Sequence, residues 1–167
     1  MRLVSASLAL IGLAAAALMW WLLGGAITEP RGASSMAVRL GHAFASLLPA
    51  VLVLAAMIGA QMLMRFASAA FDPLSGRESR LLLVNQRVIT NTVEQLAVFA
   101  PSLLAWAAGA EARAMPWVIS LGIVFGAARL AFWIGYLIDP LARAFGMAPT
   151  AVASLIALGA AIRAWIG

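Results

Sequence analysis

Two stripes of polar side chains interrupt otherwise apolar segments, and their residue types could support binding or catalysis. The first stripe consists of Arg87, Asn91 and Glu94, and the second of Arg129, Trp133 and Tyr136. Both follow the spacing i, i+4, i+7, which places three side chains on one face of an α-helix. Charged groups within a bilayer are costly and usually face a partner or a water-filled site. We therefore expect the acid of one stripe and the arginine of the other to satisfy each other and to hold a polar ligand.

The composition of the chain indicates an integral membrane protein. Its 167 residues are 65% hydrophobic and only 10% charged, with a mean hydropathy of +1.03, whereas a soluble domain is about half apolar and a quarter charged. The absence of cysteine excludes disulfides, thiolate metal sites and a cysteine nucleophile. Because His42 is the single histidine, we predict no metal site. All 11 basic residues are arginines and none forms a basic run, so we predict no nucleic-acid partner.

Five apolar segments predict five transmembrane helices of about 20 residues each. They run from about Leu3 to Ala26, Ala43 to Met64, Val88 to Ala108, Met115 to Ile138 and Met147 to Trp165. Charged, turn-forming breaks separate them, the longest from Asp72 to Glu78. The fold class is therefore predicted as all-α, an integral membrane helical bundle. Residues 1–42 are expected to form an N-terminal transmembrane helix and loop, which is too long for a signal-peptide core of about 7–15 residues; residues 43–167 are expected to form a four-helix membrane domain.

The distribution of arginines predicts the orientation of the bundle. If the helices alternate, one side receives six arginines, which are Arg2, Arg65, Arg77, Arg80, Arg87 and Arg143. The other side receives four, which are Arg31, Arg39, Arg113 and Arg163. The positive-inside rule then places the N-terminus in the cytoplasm, and the localisation is predicted as the cell inner membrane.

This alternation brings the polar residues to a common depth. Glu94 lies about 10 Å inside the third segment and Arg129 about 15 Å before the end of the fourth, in the same half of the membrane. One pocket is expected to be surrounded by Arg87, Asn91, Glu94, Arg129, Tyr136 and Arg143. A lone Glu94–Arg129 pair that only joins two helices is the simpler alternative. Six polar groups exceed that requirement, and the surplus of arginines favours an anionic ligand.

Two segments resemble the MAPEG family, the membrane-associated proteins in eicosanoid and glutathione metabolism. Residues 87–94 (RVITNTVE) are similar to the family's Arg-x-x-x-Asn-x-x-Glu helix, and residues 128–136 (ARLAFWIGY) resemble its Ala-Arg-Leu-x-x-x-x-Gly-Tyr segment. Arg143, seven residues after Tyr136, falls where the family's synthases keep an arginine thought to activate the glutathione thiol. The resemblance covers about Ala43 to Trp165, and residues 91–95 (NTVEQ) look more like those of bacterial-type members. The first helix is then an addition to a MAPEG-like four-helix unit.

The resemblance implies a homotrimer that binds glutathione between neighbouring subunits, as a co-substrate. Arg87, Asn91 and Glu94 would contact glutathione, and Arg129 and Tyr136 would line the same site. Arg143 would be the catalytic residue that holds the thiolate, and Arg65 would reach the site from a neighbouring subunit. The implied function is a glutathione transferase or peroxidase acting on lipophilic electrophiles or hydroperoxides that arrive from the membrane lipid.

A non-catalytic reading stays open beside this one. Phe132 stands where the synthases have a tyrosine, and Ile89 replaces a polar glutamine, so the expected pocket is less polar than theirs. Both residues favour a non-catalytic trimeric membrane protein, in which the polar groups only join helices, or a binder of another small anionic ligand. Stabilisation of the protein by glutathione separates the two functions.

Overall fold

A computed structural model describes residues 1–68 and 78–167 of the chain as a bundle of five α-helices. These are α1 (Arg2–Ala26), α2 (Met36–Ala67), α3 (Arg80–Gly109), α4 (Met115–Ile138) and α5 (Ala144–Ile166), with one 3₁₀ turn (Ala112–Ala114) before α4. Each helix is long and apolar enough to cross a membrane, and the described ranges contain no strand. The predicted all-helical bundle with five spans is confirmed at this level. The predicted break from Asp72 to Glu78 lies outside the described residues, except for Glu78 itself.

Two helices begin well before the apolar segments that predicted them. α2 begins at Met36 rather than Ala43, and α3 begins at Arg80 rather than Val88. The hydroxyl of Ser79 caps α3 by accepting a hydrogen bond from the Leu82 amide at 3.3 Å. Hydropathy reports the part of a helix that suits lipid, whereas the helix itself continues as long as its backbone hydrogen bonds do. The added turns carry Arg39 on α2 and Asn85 on α3, and both residues make contacts that shape the bundle.

The fourth helix lies at the centre of the bundle. α4 contacts all four other helices, and α2 and α3 pack against each other beside it. α5 contacts α3, α4 and α1. A large apolar core fills the space between these helices, with Phe99 of α3 stacked on Phe125 of α4 at 3.9 Å between ring centroids. The central helix is thus the most buried of the five, and it is the helix that carries Arg129.

The first helix packs on α4 and α5 through small residues. Gly12 and Gly24 are its two buried residues, and Gly12 lies against the backbone of Phe145. A side chain at Gly12 would collide with that backbone, so the glycine permits the close approach. Trp20 adds a hydrogen bond from its indole nitrogen to the carbonyl oxygen of Trp117, at 3.0 Å. α1 therefore packs against α4 and α5 along one narrow face, while most of its residues are exposed.

Arg39 joins the first loop to the end of α3. Its guanidinium donates to the carbonyl oxygens of Ala107 and Ala108 at 2.9 and 2.8 Å. It also donates to those of Ala33 and Ser34, both at 2.9 Å. A cation at the carbonyl end of a helix satisfies free acceptors and opposes the negative end of the helix dipole. Arg39, expected only as a charge at the membrane surface, is thus a cap for α3.

Candidate functional site

The side chain of Arg129 lies entirely inside the bundle and joins three helices. It is 0% exposed and donates hydrogen bonds to Asn91 Oδ1 at 3.1 Å and Thr92 Oγ1 at 2.9 Å, both on α3. On α5 it donates to Thr150 Oγ1 at 3.2 Å. Its guanidinium carbon lies 4.1 Å from the centroid of the Phe132 ring, a cation–π distance. Within the described residues, Nε is the one guanidinium nitrogen without a hydrogen-bond partner.

The two threonines are able to accept from Arg129 because their own protons are used elsewhere. Thr92 donates to the carbonyl oxygen of Val88 at 2.8 Å, and Thr150 donates to that of Met147 at 2.8 Å. Each hydroxyl has one proton and two lone pairs, so a lone pair remains for the guanidinium. Buried charges are normally paired with an opposite charge. Here an amide oxygen, two hydroxyls and an aromatic face surround the cation instead.

Glu94 does not pair with Arg129, contrary to the expectation from the two stripes. Within the described residues the ion pairs are Arg65–Glu78 and Arg113–Glu111, both at 2.7 Å. Helical geometry explains the difference, because side chains two residues apart on an α-helix, such as Thr92 and Glu94, point about 200° away from each other. With Thr92 buried against Arg129, Glu94 must point to the opposite side of α3, and it is exposed there.

The outer face of α3 carries the charged part of the first stripe. Arg87 and Glu94, seven residues apart, are on nearly the same side of the helix, and both are exposed. Asn91 lies between them and is half-buried, at the edge between the inner and outer faces. We call Arg87, Asn91 and Glu94 the outer stripe. A single protomer therefore brings Asn91 to Arg129 but leaves both charges of the outer stripe outside the bundle.

Tyr136 and Arg143 form a second pair of predicted site residues that the structure brings together. Arg143 donates to the Tyr136 hydroxyl at 3.1 Å, and its guanidinium carbon lies 5.0 Å from the ring centroid. Arg143 is exposed and occupies the position just before α5. Free amides at the start of a helix create positive potential there, to which the guanidinium adds. This end of the bundle favours a negative ligand group.

Arg65 stands apart from both groups. Its guanidinium forms the 2.7 Å ion pair with Glu78. This pair joins the last turn of α2 to the segment just before α3. The side chain of Arg65 is 26% exposed and that of Glu78 is 10% exposed. Within a single protomer, Arg65 is therefore paired with Glu78, which is not one of the predicted site residues.

A second buried network escaped the sequence prediction. The indole of Trp133 donates to Asn85 Oδ1 at 2.8 Å, and Asn85 Nδ2 donates to Gln61 Oε1 at 2.8 Å and to the Met57 carbonyl oxygen at 3.0 Å. Asn85 is completely buried and Gln61 nearly so. Two amide side chains within membrane-length helices were the available signal, because such groups commonly join helices by hydrogen bonds. Trp133, a member of the second stripe, thus orients Asn85 by a hydrogen bond.

Small apolar cavities lie away from these polar groups. Two of about 110 and 120 Å³ flank α1, where its small residues face Val124 and Pro149. A more open cleft of about 450 Å³ lies among the ends of α3 and α5 and the turn before α4, beside Trp106, Arg113 and Arg163. None of these three spaces is lined by the outer stripe, Arg129 or Arg143.

These features define a class: a five-helix bundle with membrane-length apolar helices, one enclosed arginine and one exposed charged helix face. Comparison with protein-family models, with curated proteins and with solved structures found no match to the chain. The MAPEG-like character expected from residues 87–94 and 128–136 thus stays a prediction.

Proposed function

We propose that this chain is an integral membrane protein of the MAPEG type that binds glutathione on the outer stripe of α3. The observation that carries the proposal is the exposure of Arg87 and Glu94 on one face of a membrane-length helix. Charges on such a face are costly against lipid, so a polar partner is expected to cover them. A second copy of the chain, with a ligand between the copies, supplies such a cover, in keeping with the proposed homotrimer.

The chemistry of the outer stripe suits an extended peptide with charges of both signs. Arg87 offers a guanidinium for a carboxylate, and Glu94 offers a carboxylate for an ammonium group. Seven residues of α-helix span about 10 Å, which is also about the length of three extended residues. Glutathione, a tripeptide with two carboxylates and one ammonium group, matches this order and length.

Contacts between α3 and α4 support a common depth for the proposed groups. Trp133 donates a hydrogen bond to Asn85, and Arg129 donates one to Asn91. The two helices therefore run antiparallel, with the two residues of each pair at the same height along the bundle. Tyr136 follows Trp133 and therefore lies towards the start of α3, with Arg143 beside it. A neighbouring copy turned towards the outer stripe would bring its Tyr136–Arg143 pair to the same half of the membrane.

Arg143 is the proposed catalytic residue. A free thiol has a pKa of about 8.5 and is mostly protonated at neutral pH, and an adjacent guanidinium favours the nucleophilic thiolate. The start of α5 adds positive potential at this position. The thiolate would form a carbon–sulfur bond to a lipophilic electrophile that arrives from the bilayer and displace its leaving group. With a hydroperoxide it would break the O–O bond and release the alcohol, and a second glutathione would convert the resulting sulfenic acid to the disulfide and water. The proposed setting is the inner membrane, with the N-terminus in the cytoplasm.

Replacement of Arg143 tests the catalytic part of the proposal. We expect Arg143→Ala to lower turnover with a model electrophile such as chlorodinitrobenzene by about tenfold or more, with a smaller change in glutathione affinity. Arg2→Ala is the matched control, since Arg2 is also exposed and is the first residue of α1, on the same predicted side. Equal losses of turnover and affinity in Arg143→Ala would contradict its role as thiol activator.

Replacement of Glu94 tests the binding part. Glu94→Gln removes the charge for the ammonium group and keeps the size of the side chain, so we expect calorimetric titration to show loss of glutathione binding. Native mass spectrometry of the same sample is expected to show three times the protomer mass of 17.4 kDa. Unchanged affinity with a lower melting temperature would instead assign Glu94 a structural role.

A non-catalytic membrane protein, or a binder of another small anion, is the second candidate. The enclosure of Arg129 favours it, because a fully buried guanidinium under the Phe132 ring serves helix packing without any ligand. Under this alternative the outer stripe is a contact between copies of the chain. A folded trimer that binds no glutathione would support it.

A further inference from the structure

Asn91 connects the enclosed arginine to the outer stripe. Its Oδ1 accepts a hydrogen bond from Arg129 at 3.1 Å, on the inner side. Its Nδ2 makes no hydrogen bond to any residue in the described ranges, and the side chain is only half-buried. The amide therefore has one end held within the bundle and one end facing outwards, between Arg87 and Glu94.

The contact with Arg129 determines which end of the amide faces outwards. An asparagine amide has an acceptor oxygen and a donor NH₂ group, whereas a guanidinium has donors only. If the amide turned over, two sets of donors would face each other in a buried site. The orientation with NH₂ outwards is thus selected by the chemistry of Arg129.

Arg129 itself has no room to adjust. It is fully buried, and Thr92 and Thr150 hold it from two helices. Each threonine is in turn fixed by a hydrogen bond to the backbone of its own helix. A rigid arrangement of this kind keeps a binding group in place before the ligand arrives, which lowers the entropic cost of binding.

We propose that Arg129 is a positioning residue, which acts through Asn91 to present an NH₂ donor to a carboxylate or carbonyl oxygen of the ligand. This inference rests on the proposed binding of glutathione at the outer stripe, and it changes the expected role of Arg129. The arginine lies behind Asn91 and does not touch the ligand. Its charge also polarises the amide and strengthens the outward donor.

The substitution Asn91→Asp separates the two ends of the amide. A carboxylate still accepts from Arg129 and adds an opposite charge beside it, but its outward atom becomes an acceptor. We expect the melting temperature of the ligand-free protein to stay the same or rise. Glutathione affinity, measured by calorimetric titration, is expected to fall by about tenfold or more, because a donor is lost and a negative charge faces the ligand.

A double-mutant cycle tests whether Arg129 acts through Asn91. Arg129→Met fills the space with an unbranched apolar side chain and leaves the amide free to turn. We expect it to weaken glutathione binding several-fold in the natural sequence and to have no further effect in the Asn91→Ala background. Equal effects of Arg129→Met in both backgrounds would indicate direct ligand contact and would overturn the inference. Wild-type affinity in Asn91→Asp would also overturn it, and this arm decides the question if Arg129→Met does not fold.

Failure of the proposed function is distinguishable from failure of this inference. If the natural protein binds no glutathione, the proposed function is wrong, and the orientation of Asn91 is tested on the ligand-free protein. Asn91→Asp is then expected to keep or raise the melting temperature, whereas Asn91→Leu, which removes the acceptor, is expected to lower it. Similar melting temperatures for the two variants would contradict the pairing of Asn91 Oδ1 with Arg129.

Discussion

The two sides of α3 differ in how their polar groups are satisfied. The inner side faces the buried Arg129 of α4, and the outer side carries Arg87 and Glu94. Around Arg129, almost every hydrogen-bonding group has a partner within the same protomer. On the outer stripe, Arg87 and Glu94 are exposed on a helix long enough to cross a membrane. Substitutions in the buried region should therefore change the stability of the protomer, and those on the outer face should change what the protomer binds.

The largest expected effect comes from separating α4 and α5 beside Arg129. A side chain at Gly146 would meet the backbone of Ala128 and Phe132, so Gly146→Ala must push the helices apart. We expect a loss of about 1–3 kcal/mol or more and a clear fall in melting temperature. Gly159→Ala, on the same helix with nothing within 4 Å, is the control and should be neutral or slightly stabilising. Equal melting temperatures for the two variants would contradict the close packing of these helices.

Loss of one acceptor of Arg129 is expected to have a similar or somewhat smaller effect. Thr92→Val keeps the shape of the side chain but removes the hydroxyl that accepts from Arg129 at 2.9 Å, at a cost of about 1.5–3 kcal/mol. Thr90→Val is the control, since the exposed Thr90 only donates to the carbonyl oxygen of Gln86. Denaturation of both variants in the same detergent should separate them. If Thr90→Val were the more harmful change, the buried region would not be the one that stabilises the protomer.

The second buried network gives the smallest of these effects. Trp133→Phe retains an aromatic ring and removes the donor to Asn85, so we expect a loss of about 1 kcal/mol. Trp21→Phe, at a position that is 64% exposed, should leave the melting temperature almost unchanged. A change of the same size in both variants would show that the Trp133–Asn85 hydrogen bond contributes little.

The helical spans were predictable because apolar length reports directly on the suitability of a segment for lipid. The ends of α2 and α3 were not, since their first turns carry polar residues that a hydropathy pattern assigns to loops. The early start of α3 places Asn85 in a helix, and without that register its contact with Trp133 could not be foreseen.

The spacing of the outer stripe predicted a common face but not the direction of that face. The spacing of Arg87 and Glu94 is equally consistent with a buried or an exposed stripe. Apolar residues lie on several faces of α3, so the sequence does not show which face is buried. Thr150 belongs to neither stripe, and its use as an acceptor depends on the approach of α5 to α4. Partners chosen by the packing of three helices are tertiary information, which a pattern along one helix does not contain.

Thermal unfolding of the detergent-purified protein with and without millimolar glutathione tests the central claim most directly. A ligand that binds only the folded state raises the melting temperature by mass action. We predict a rise for the natural protein and for the control Arg163→Ala, whose exposed arginine lies in the last turn of α5, and no rise for Arg87→Ala. A folded, oligomeric natural protein whose melting temperature does not change would contradict the account. An equal rise in Arg87→Ala would place the glutathione site away from the outer stripe.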